Sequence, residues 1–315
     1  MKIVNEIKTL LKNYNLDAYI VPKNDEFFSE YAFPNRLKTI SNFSGSAGFS
    51  IITISENYLF IDGRYLIQSK IESGKNFKIV EIPYTYPKDI LNYSAFKRIG
   101  YDPKLFTSST LERYFSNKYQ LIPIKKNLVD TIFVEKEKKE NLFFKIEDKF
   151  VGESVISKIS RLCKILKKNK SDSIFVSAPE NVAWLLNIRG KDNPNSPIPN
   201  ARLIINKEKK IFFFSSLKKI KNIKKKINYK KIKFFSFDKF YEILSKLNSN
   251  FFTIDKLTCS IFYESLINSK FKIINYEDPI YHLKSIKNKI EIENMKSAHI
   301  KDGVALTKFL YWIKQ

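Results

Sequence analysis

The sequence predicts an α/β protein built from two similar domains, because one order of elements occurs twice along its 315 residues. Each copy consists of a helix, a short strand, a glycine-containing loop, two strands around a polar turn, and a further helix. The two copies start roughly 150 residues apart, which indicates an internal duplication. Helices that alternate with hairpins and single strands predict mixed sheets flanked by helices.

The first copy begins with residues 2–13, where apolar residues recur at helical spacing. A short apolar run at 17–22 ends at a proline and predicts a strand. Residues 50–65 predict two strands around a polar turn, and the loop before them, 42–48, contains two glycines.

The second copy repeats this order. Residues 153–169 predict an amphipathic helix, with Cys163 on its apolar stripe and therefore in the core. Residues 172–177 predict a strand, 201–216 predict two strands around a charged turn, and the loop at 187–193 contains a glycine.

Charge density rises and periodicity is lost within residues 134–152, so this stretch is the predicted boundary between the two copies. The final segment belongs to neither copy. The sequence therefore predicts three parts: a first domain at 1–135, a second domain at 136–280, and the start of a third at 281–315.

Residues 287–313 predict one long helix, with Ser285 as the candidate cap. The last ten of these residues are apolar on nearly every side of the helix. A helix of this kind is expected inside a larger domain or against a partner.

The net charge of +24 suggests nucleic-acid binding, but only seven of the 56 basic residues are arginine. Phosphate and base recognition favours the planar guanidinium, and the lysines are spread along the chain. Nucleic-acid binding is therefore the least favoured interpretation. Because no apolar run reaches about 18 residues, and the two cysteines form no close pair, we expect a cytoplasmic protein without a membrane segment.

Residues that could carry chemistry are few. His299 has Asp302 one turn later but no third metal ligand at suitable spacing, and His282 has no partner in sequence. We therefore predict no catalytic residue and no bound metal in this chain. Arg64 follows the end of a strand in the run Asp62-Gly63-Arg64. Its guanidinium could hold a carboxylate or peptide carbonyl, or it could pair internally with Asp62.

Four stretches resemble the long, three-domain form of Xaa-Pro aminopeptidase, a member of the pita-bread metallopeptidases. They are FSGSAGFSIITISENYLFIDGRYLIQS at 43–69, DKFVGESVISKI at 148–159, NVAWLLNIRGKDNPNSPIPNARLII at 181–205 and HLKSIKNKIEIENMKSAHIKDGVAL at 282–306. The resemblance implies two tandem creatinase amino-terminal-like domains followed by the start of a truncated pita-bread domain, whose first helix is the one at 287–313.

The resemblance also carries expectations about activity. The family removes the residue before a proline with two metal ions, usually manganese, and its five metal ligands match no position of this chain. Arg64 matches the family's arginine that contacts the peptide substrate. We therefore expect a chain that is inactive alone, whose partners are a peptide with proline at its second position and either a second copy or a separate chain carrying the catalytic domain. The alternative is a non-catalytic module of the same fold that binds peptide or protein.

Overall fold

The computed structural model describes residues 2–91, 97–115, 118–136, 140–227 and 229–315. Their contacts divide the chain into two compact units. The first unit contains Met1–Lys139 and Lys256–Lys270, and the second contains Glu140–Asp255 and Phe271–Gln315. The division into domains at 1–135, 136–280 and 281–315 stays a prediction. Residues 137–139, within the predicted boundary stretch, lie outside the described residues.

The first unit contains a six-stranded mixed sheet flanked by helices. Its strands are β1 (Ala18–Pro22), β2 (Gly48–Thr53), β3 (Asn57–Asp62), β4 (Lys78–Ile82), β5 (Arg98–Tyr101) and β6 (Gln120–Pro123). The helices among them are α1 (Lys2–Asn13), α2 (Arg36–Ser41), α3 (Leu66–Ser73), α4 (Pro87–Ile90), α5 (Ser108–Tyr114) and α6 (Leu128–Ile132). The strand order is β4-β3-β2-β1-β5-β6. Strand β2 pairs antiparallel with β1 and β3, and the remaining neighbours are parallel.

The remaining elements continue along the chain. The strands are β7 (Phe144–Lys145), β8 (Ser173–Val176), β9 (Ile188–Arg189), β10 (Arg202–Asn206), β11 (Ile211–Phe214), β12 (Ile232–Phe235), β13 (Phe251–Ile254) and β14 (Lys272–Asn275). The helices are α7 (Asp148–Val151), α8 (Val155–Lys168), α9 (Pro179–Leu186), α10 (Leu217–Ile223), α11 (Phe240–Ser245), α12 (Ile261–Asn268), α13 (Pro279–Ser285) and α14 (Lys289–Ile313). Six of these strands form the second sheet, in the order β12-β11-β10-β8-β13-β14.

The two sheets have the same pairing pattern, which supports the predicted internal duplication. Strand β10 pairs antiparallel with β8 and β11, as β2 does with β1 and β3, and the outer neighbours are again parallel. Every residue of the central strands β1 and β8 is buried. A strand covered on both faces favours apolar residues, and the runs AYIVP and SIFV are apolar except for the buried Ser173, whose hydroxyl forms a 2.8 Å hydrogen bond with that of Ser249. The predicted α/β fold with mixed sheets is confirmed.

The two amphipathic helices form where the apolar spacing predicts them. Helix α1 buries Val4, Ile7 and Leu11 against the first sheet's core, on one face of the helix. Helix α8 begins after Ser154, whose hydroxyl accepts a hydrogen bond from the Ser157 N–H and caps the helix. Cys163 on α8 is buried, as predicted.

Two local predictions are corrected. The long C-terminal helix begins at Lys289, and its cap is Asn288, which forms a reciprocal capping box with Glu291. Ser285 instead ends α13, so it does not cap α14. Helix α9 lies between β8 and the glycine loop, where the sequence analysis assigned no helix. It ends at Asn187, which has a left-handed backbone conformation.

Helix α12 follows β13 in the chain, but its contacts place it in the first unit. The Ile261 N–H donates to the Phe106 carbonyl and the Phe262 N–H to the Pro103 carbonyl, both at 2.9 Å. These residues lie within the predicted bounds of the second domain, 136–280, which stay a prediction. Within the residues described, no helix has the length and apolar character needed to span a bilayer.

Lys158 is the most deeply buried charged side chain of the second unit, with 1% of its surface exposed. Its ammonium donates to the Trp184 carbonyl at 2.9 Å and to Asn187 Oδ1 at 2.7 Å, and lies 4.2 Å from the Trp184 ring centroid. The cation thus satisfies acceptors at the C-terminal end of α9, where the helix dipole favours positive charge. Burial nevertheless lowers the pKa of Lys158 to about 8.

This lowered pKa predicts a pH-dependent contribution to stability. Between about pH 8 and its ordinary value near 10.5, the unfolded chain binds a proton at Lys158 that the folded chain has lost. The free energy of unfolding should therefore rise with pH across this interval, by up to roughly 3 kcal/mol from this one group. We expect Lys158→Met to lack this rise in urea unfolding followed by circular dichroism.

Lys164→Met is the matched control, because Lys164 lies on the same helix and is exposed. It should keep the wild-type rise, because this variant retains Lys158. Parallel pH curves for the wild type and Lys158→Met would contradict the predicted shift.

Candidate functional site

Arg64 lies in a tight turn between β3 and α3. Strand β3 ends at Asp62, and Gly63–Tyr65 form a single 3-10 turn that leads directly into α3. The Asp62 carboxylate caps this turn by accepting a hydrogen bond from the Arg64 N–H at 3.0 Å. A Cβ atom at Gly63 would meet only the carboxylate end of the flexible Glu81 side chain, which could move aside. The turn therefore fixes the backbone from which the Arg64 side chain extends.

The Arg64 side chain pairs with Asp62, as one of the two interpretations from sequence predicted. Arg64 Nε donates to Asp62 Oδ1 at 2.9 Å, and Nη2 donates to Oδ2 at 3.4 Å. Hydrogen bonds from Arg64 lower the pKa of Asp62, and the carboxylate in turn raises the pKa of Arg64. The guanidinium also lies 5.5 Å from the Tyr65 ring centroid. These contacts hold its plane in one orientation while 71% of the side chain stays exposed.

Arg64 lines a cavity of about 500 Å³ in the first unit. The wall comes from the chain after β1, the glycine loop before β2, the turn after β3 and the end of α5. The lining residues are Lys23, Asn24, Phe28, Ser29, Glu30, Ser46, Ala47, Gly48, Phe49, Arg64, Ile82 and Tyr114. We refer to this cavity as the Arg64 cleft.

Lys23 is the cation in the Arg64 cleft that the sequence analysis missed. It directly follows β1, and its N–H donates to the Gly48 carbonyl at 3.0 Å, which ties two walls of the cleft together. Burial lowers the pKa of its ammonium, and the nearby Asp25 and Glu30 carboxylates oppose that effect. Within the described part of the chain its ammonium has no hydrogen-bond acceptor. The one sequence signal was a charged residue directly after a fully apolar strand.

The glycine loop brings main chain and hydroxyl groups to the cleft. Gly48 has a φ of +151°, and a Cβ atom there would lie 2.7 Å from the Phe60 carbonyl oxygen. Ser46 Oγ and the Tyr65 hydroxyl are 2.7 Å apart, so the loop is tied to the turn that carries Arg64. On the opposite wall the Phe49 and Tyr114 rings stack with centroids 4.4 Å apart.

The Arg64 cleft therefore presents two cations, one carboxylate, hydroxyl groups and the partly exposed rings of Phe28 and Tyr114. Guanidinium and ammonium groups donate to carbonyl or carboxylate oxygens, and aromatic walls contact apolar side chains or a proline ring. This set suits binding and orientation of a peptide-like ligand. It does not arrange a nucleophile beside a general base among the lining residues.

The histidine predictions concern residues of the second unit. His282 is exposed at α13, and His299 and Asp302 line a shallow, open cavity along α14. Among the residues that the structure describes, no group of three or more His, Cys, Asp or Glu side chains could hold a metal ion. The described residues thus do not fit a dinuclear metal centre.

Two family models, both described as a creatinase/prolidase N-terminal domain, match this chain, one at residues 4–132 and the other at residues 135–291. A probable Xaa-Pro aminopeptidase P of Laccaria bicolor is 30% identical over 98% of this chain and 51% of its own length. Xaa-Pro aminopeptidase 1 of Dictyostelium discoideum is 32% identical over 100% of this chain and 53% of its own length. The chain thus spans about half the length of these relatives.

A solved structure shows the same fold. The X-prolyl aminopeptidase of Caenorhabditis elegans, described as a cytosolic enzyme with a di-nuclear active site, superposes with a TM-score of 0.84. The superposition covers 99% of this chain and 55% of that chain, at 23% sequence identity.

The close approach at Gly48 predicts that a single methyl group will damage the first unit. Gly48→Ala should lower the free energy of unfolding by roughly 2 kcal/mol, because alanine rarely adopts this φ and its Cβ would meet the Phe60 carbonyl. The measurement is thermal unfolding followed by circular dichroism.

Gly303→Ala is the matched control, since Gly303 lies within α14 and a Cβ there meets nothing within 4 Å. Alanine should be neutral or stabilising at this helical position, by up to about 1 kcal/mol. A Gly48→Ala variant as stable as Gly303→Ala would disprove the proposed backbone constraint.

Proposed function

Because the chain belongs to the family of creatinase/prolidase N-terminal domains, we propose that it forms the substrate-cleft and assembly part of an Xaa-Pro aminopeptidase. The observation that carries the proposal is the identity of about 30% with such enzymes along nearly the whole chain. The Arg64 cleft supplies a site of suitable chemistry in the first unit.

Arg64 is the proposed substrate-binding residue. Two of its five N–H donors are used on Asp62, and the others are available to a peptide carbonyl or a C-terminal carboxylate. Because Asp62 and Tyr65 already orient the guanidinium, little side-chain entropy is lost when a peptide binds. Lys23 adds a second donor on another wall of the cleft. The Tyr114 ring, which is stacked on the buried Phe49 ring, provides an apolar surface for the proline ring.

Hydrolysis is assigned to a domain that the described residues do not form. In the proposed enzyme that domain would hold two divalent ions, usually manganese, and would supply from them the Lewis-acid chemistry of hydrolysis. The described residues of this chain do not fit such a pair, so they take no chemical step in the proposal. Their part is to bind and orient the peptide. The chain alone is therefore proposed to be inactive as a peptidase.

The exposed end of α14 is the proposed contact for the catalytic domain, carried by a separate chain, or for a second copy. Its apolar side chains are all more than one-third exposed: Val304, Leu306, Phe309, Leu310, Tyr311, Trp312 and Ile313. A soluble domain rarely leaves so continuous an apolar surface uncovered. The proposed location is the cytoplasm, which is consistent with two free, buried cysteines and with the nematode relative described as cytosolic.

Peptide binding tests the role of Arg64. We expect Arg64→Ala to weaken binding of an alanyl-prolyl peptide about tenfold, because a fixed guanidinium donor is lost. The measurement is isothermal titration calorimetry. Arg161→Ala is the matched control, since Arg161 also forms an ion pair at the surface, with Glu153, but lies outside the cleft. Equal affinities for the two variants would exclude Arg64 from the binding site.

An assay of peptidase activity tests whether this chain binds the peptide without hydrolysing it. The purified chain with added manganese should release no N-terminal residue from an alanyl-prolyl peptide. Release that a chelator abolishes would contradict the proposal. Peptide binding by a chain for which no catalytic domain can be found would instead favour the non-catalytic binding module.

A further inference from the structure

A second cavity, of about 380 Å³, lies in the second unit between the sheet edge and α11. One wall is the sheet surface at β11 and the parallel edge strand β12, where Phe212 is in register with Lys233. The other wall is the end of α11 and the residues after it. The lining residues are Lys210, Ile211, Phe212, Lys230, Lys231, Lys233, Phe235, Ile243, Lys246 and Leu247. We refer to this cavity as the lysine-rimmed cavity.

The floor of this cavity is apolar and aromatic. The Phe212 and Phe235 rings stack with centroids 6.3 Å apart and planes inclined by 25°. Ile243 is buried and Leu247 half-buried on the helical wall. Ile211 and Phe213 of β11 belong to the core beneath the sheet, so Phe212 lies on the opposite face. This surface offers a flat aromatic platform to a ligand.

The rim is strongly cationic. Five of the ten lining residues are lysines, and none is acidic. Lys246 pairs with Glu242 at 2.7 Å, and the Lys231 ammonium approaches the Glu208 carbonyl at 3.4 Å. In the portion of the chain that the structure describes, Lys210, Lys230 and Lys233 form no ion pair. Like charges gathered around an apolar surface repel one another, and a bound anion would relieve that repulsion.

We propose that the lysine-rimmed cavity binds a small organic anion, with a phosphate or carboxylate group carried on an aromatic or acyl body. The anionic group would contact the unpaired ammonium groups of the rim, and the body would lie on the Phe212 and Phe235 rings. The volume is at the lower end of the range for small-molecule sites, which favours such a ligand over a macromolecule. The cavity serves no step in the peptide-binding role proposed for the first unit.

The experiment uses the full chain and 1-naphthyl phosphate as the probe, with binding measured by isothermal titration calorimetry. Inorganic phosphate supplies the charge without the body, and 1-naphthol supplies the body without the charge. Both control ligands should bind at least about tenfold more weakly than the probe. Inorganic phosphate cannot contact the aromatic rings, and 1-naphthol has no anionic group for the lysines of the rim. Equal affinity for the probe and either control ligand would overturn the proposal.

Two double variants locate the site. Lys230→Gln with Lys233→Gln removes two unpaired rim charges from exposed positions and should weaken probe binding about fivefold or more. Lys224→Gln with Lys225→Gln removes the same charge from exposed positions outside the cavity and should leave affinity unchanged. Equal losses in both double variants would show general charge attraction and would refute the site. The proposal would also be refuted if the chain bound an oligonucleotide but did not bind 1-naphthyl phosphate.

Discussion

Both sheets depend on a central strand that pairs in opposite senses on its two sides. Strand β1 runs antiparallel to β2 and parallel to β5, and β8 has the same relation to β10 and β13. Such a strand is enclosed by neighbours at both edges and by helices on both faces, so its side chains are apolar or, like Ser173, paired by an internal hydrogen bond. The chain can become charged only where the strand ends. At the end of β1 it does so at once, with Lys23, and this is where the Arg64 cleft forms.

The sequence predicts the repeated elements well, because each has a local signal. Apolar spacing in α1 and α8, the polar turns of the two hairpins and the glycine loops all reflect constraints carried by neighbouring residues. Because the elements occur twice, each type of element can be predicted from two different stretches of the sequence. Arg64 could be identified because a glycine and two charged residues stand together at a strand end. Even so, the residues alone left its pairing with Asp62 open, since two side chains at this spacing can meet or diverge.

The role of Lys23 and the packing of α12 depend on contacts between residues far apart in the chain, which local patterns do not reveal. Lys23 becomes a cleft residue only because the glycine loop closes over it through the Gly48 carbonyl. Helix α12 has an ordinary helical pattern, but the first unit provides its backbone partners. Asn288 and Ser285 are both good capping residues, and the acidic residue three positions after Asn288 decides between them by completing a capping box. This signal is local, so it can be read from the sequence.

Helix α14 forms side-chain hydrogen bonds with the rest of the second unit near its N-terminal end. Its first two turns are held by Glu291, which accepts a hydrogen bond from the Trp184 indole, and by Asn294, which donates to the Phe150 carbonyl. None of its residues is buried, so the later turns rely on their own backbone hydrogen bonds. Such a helix can open by local fraying in these exposed turns, without any unfolding of the sheet beneath. Amide hydrogen exchange should therefore speed up progressively along α14, and any protein that covers its apolar end would register as protection of those amides.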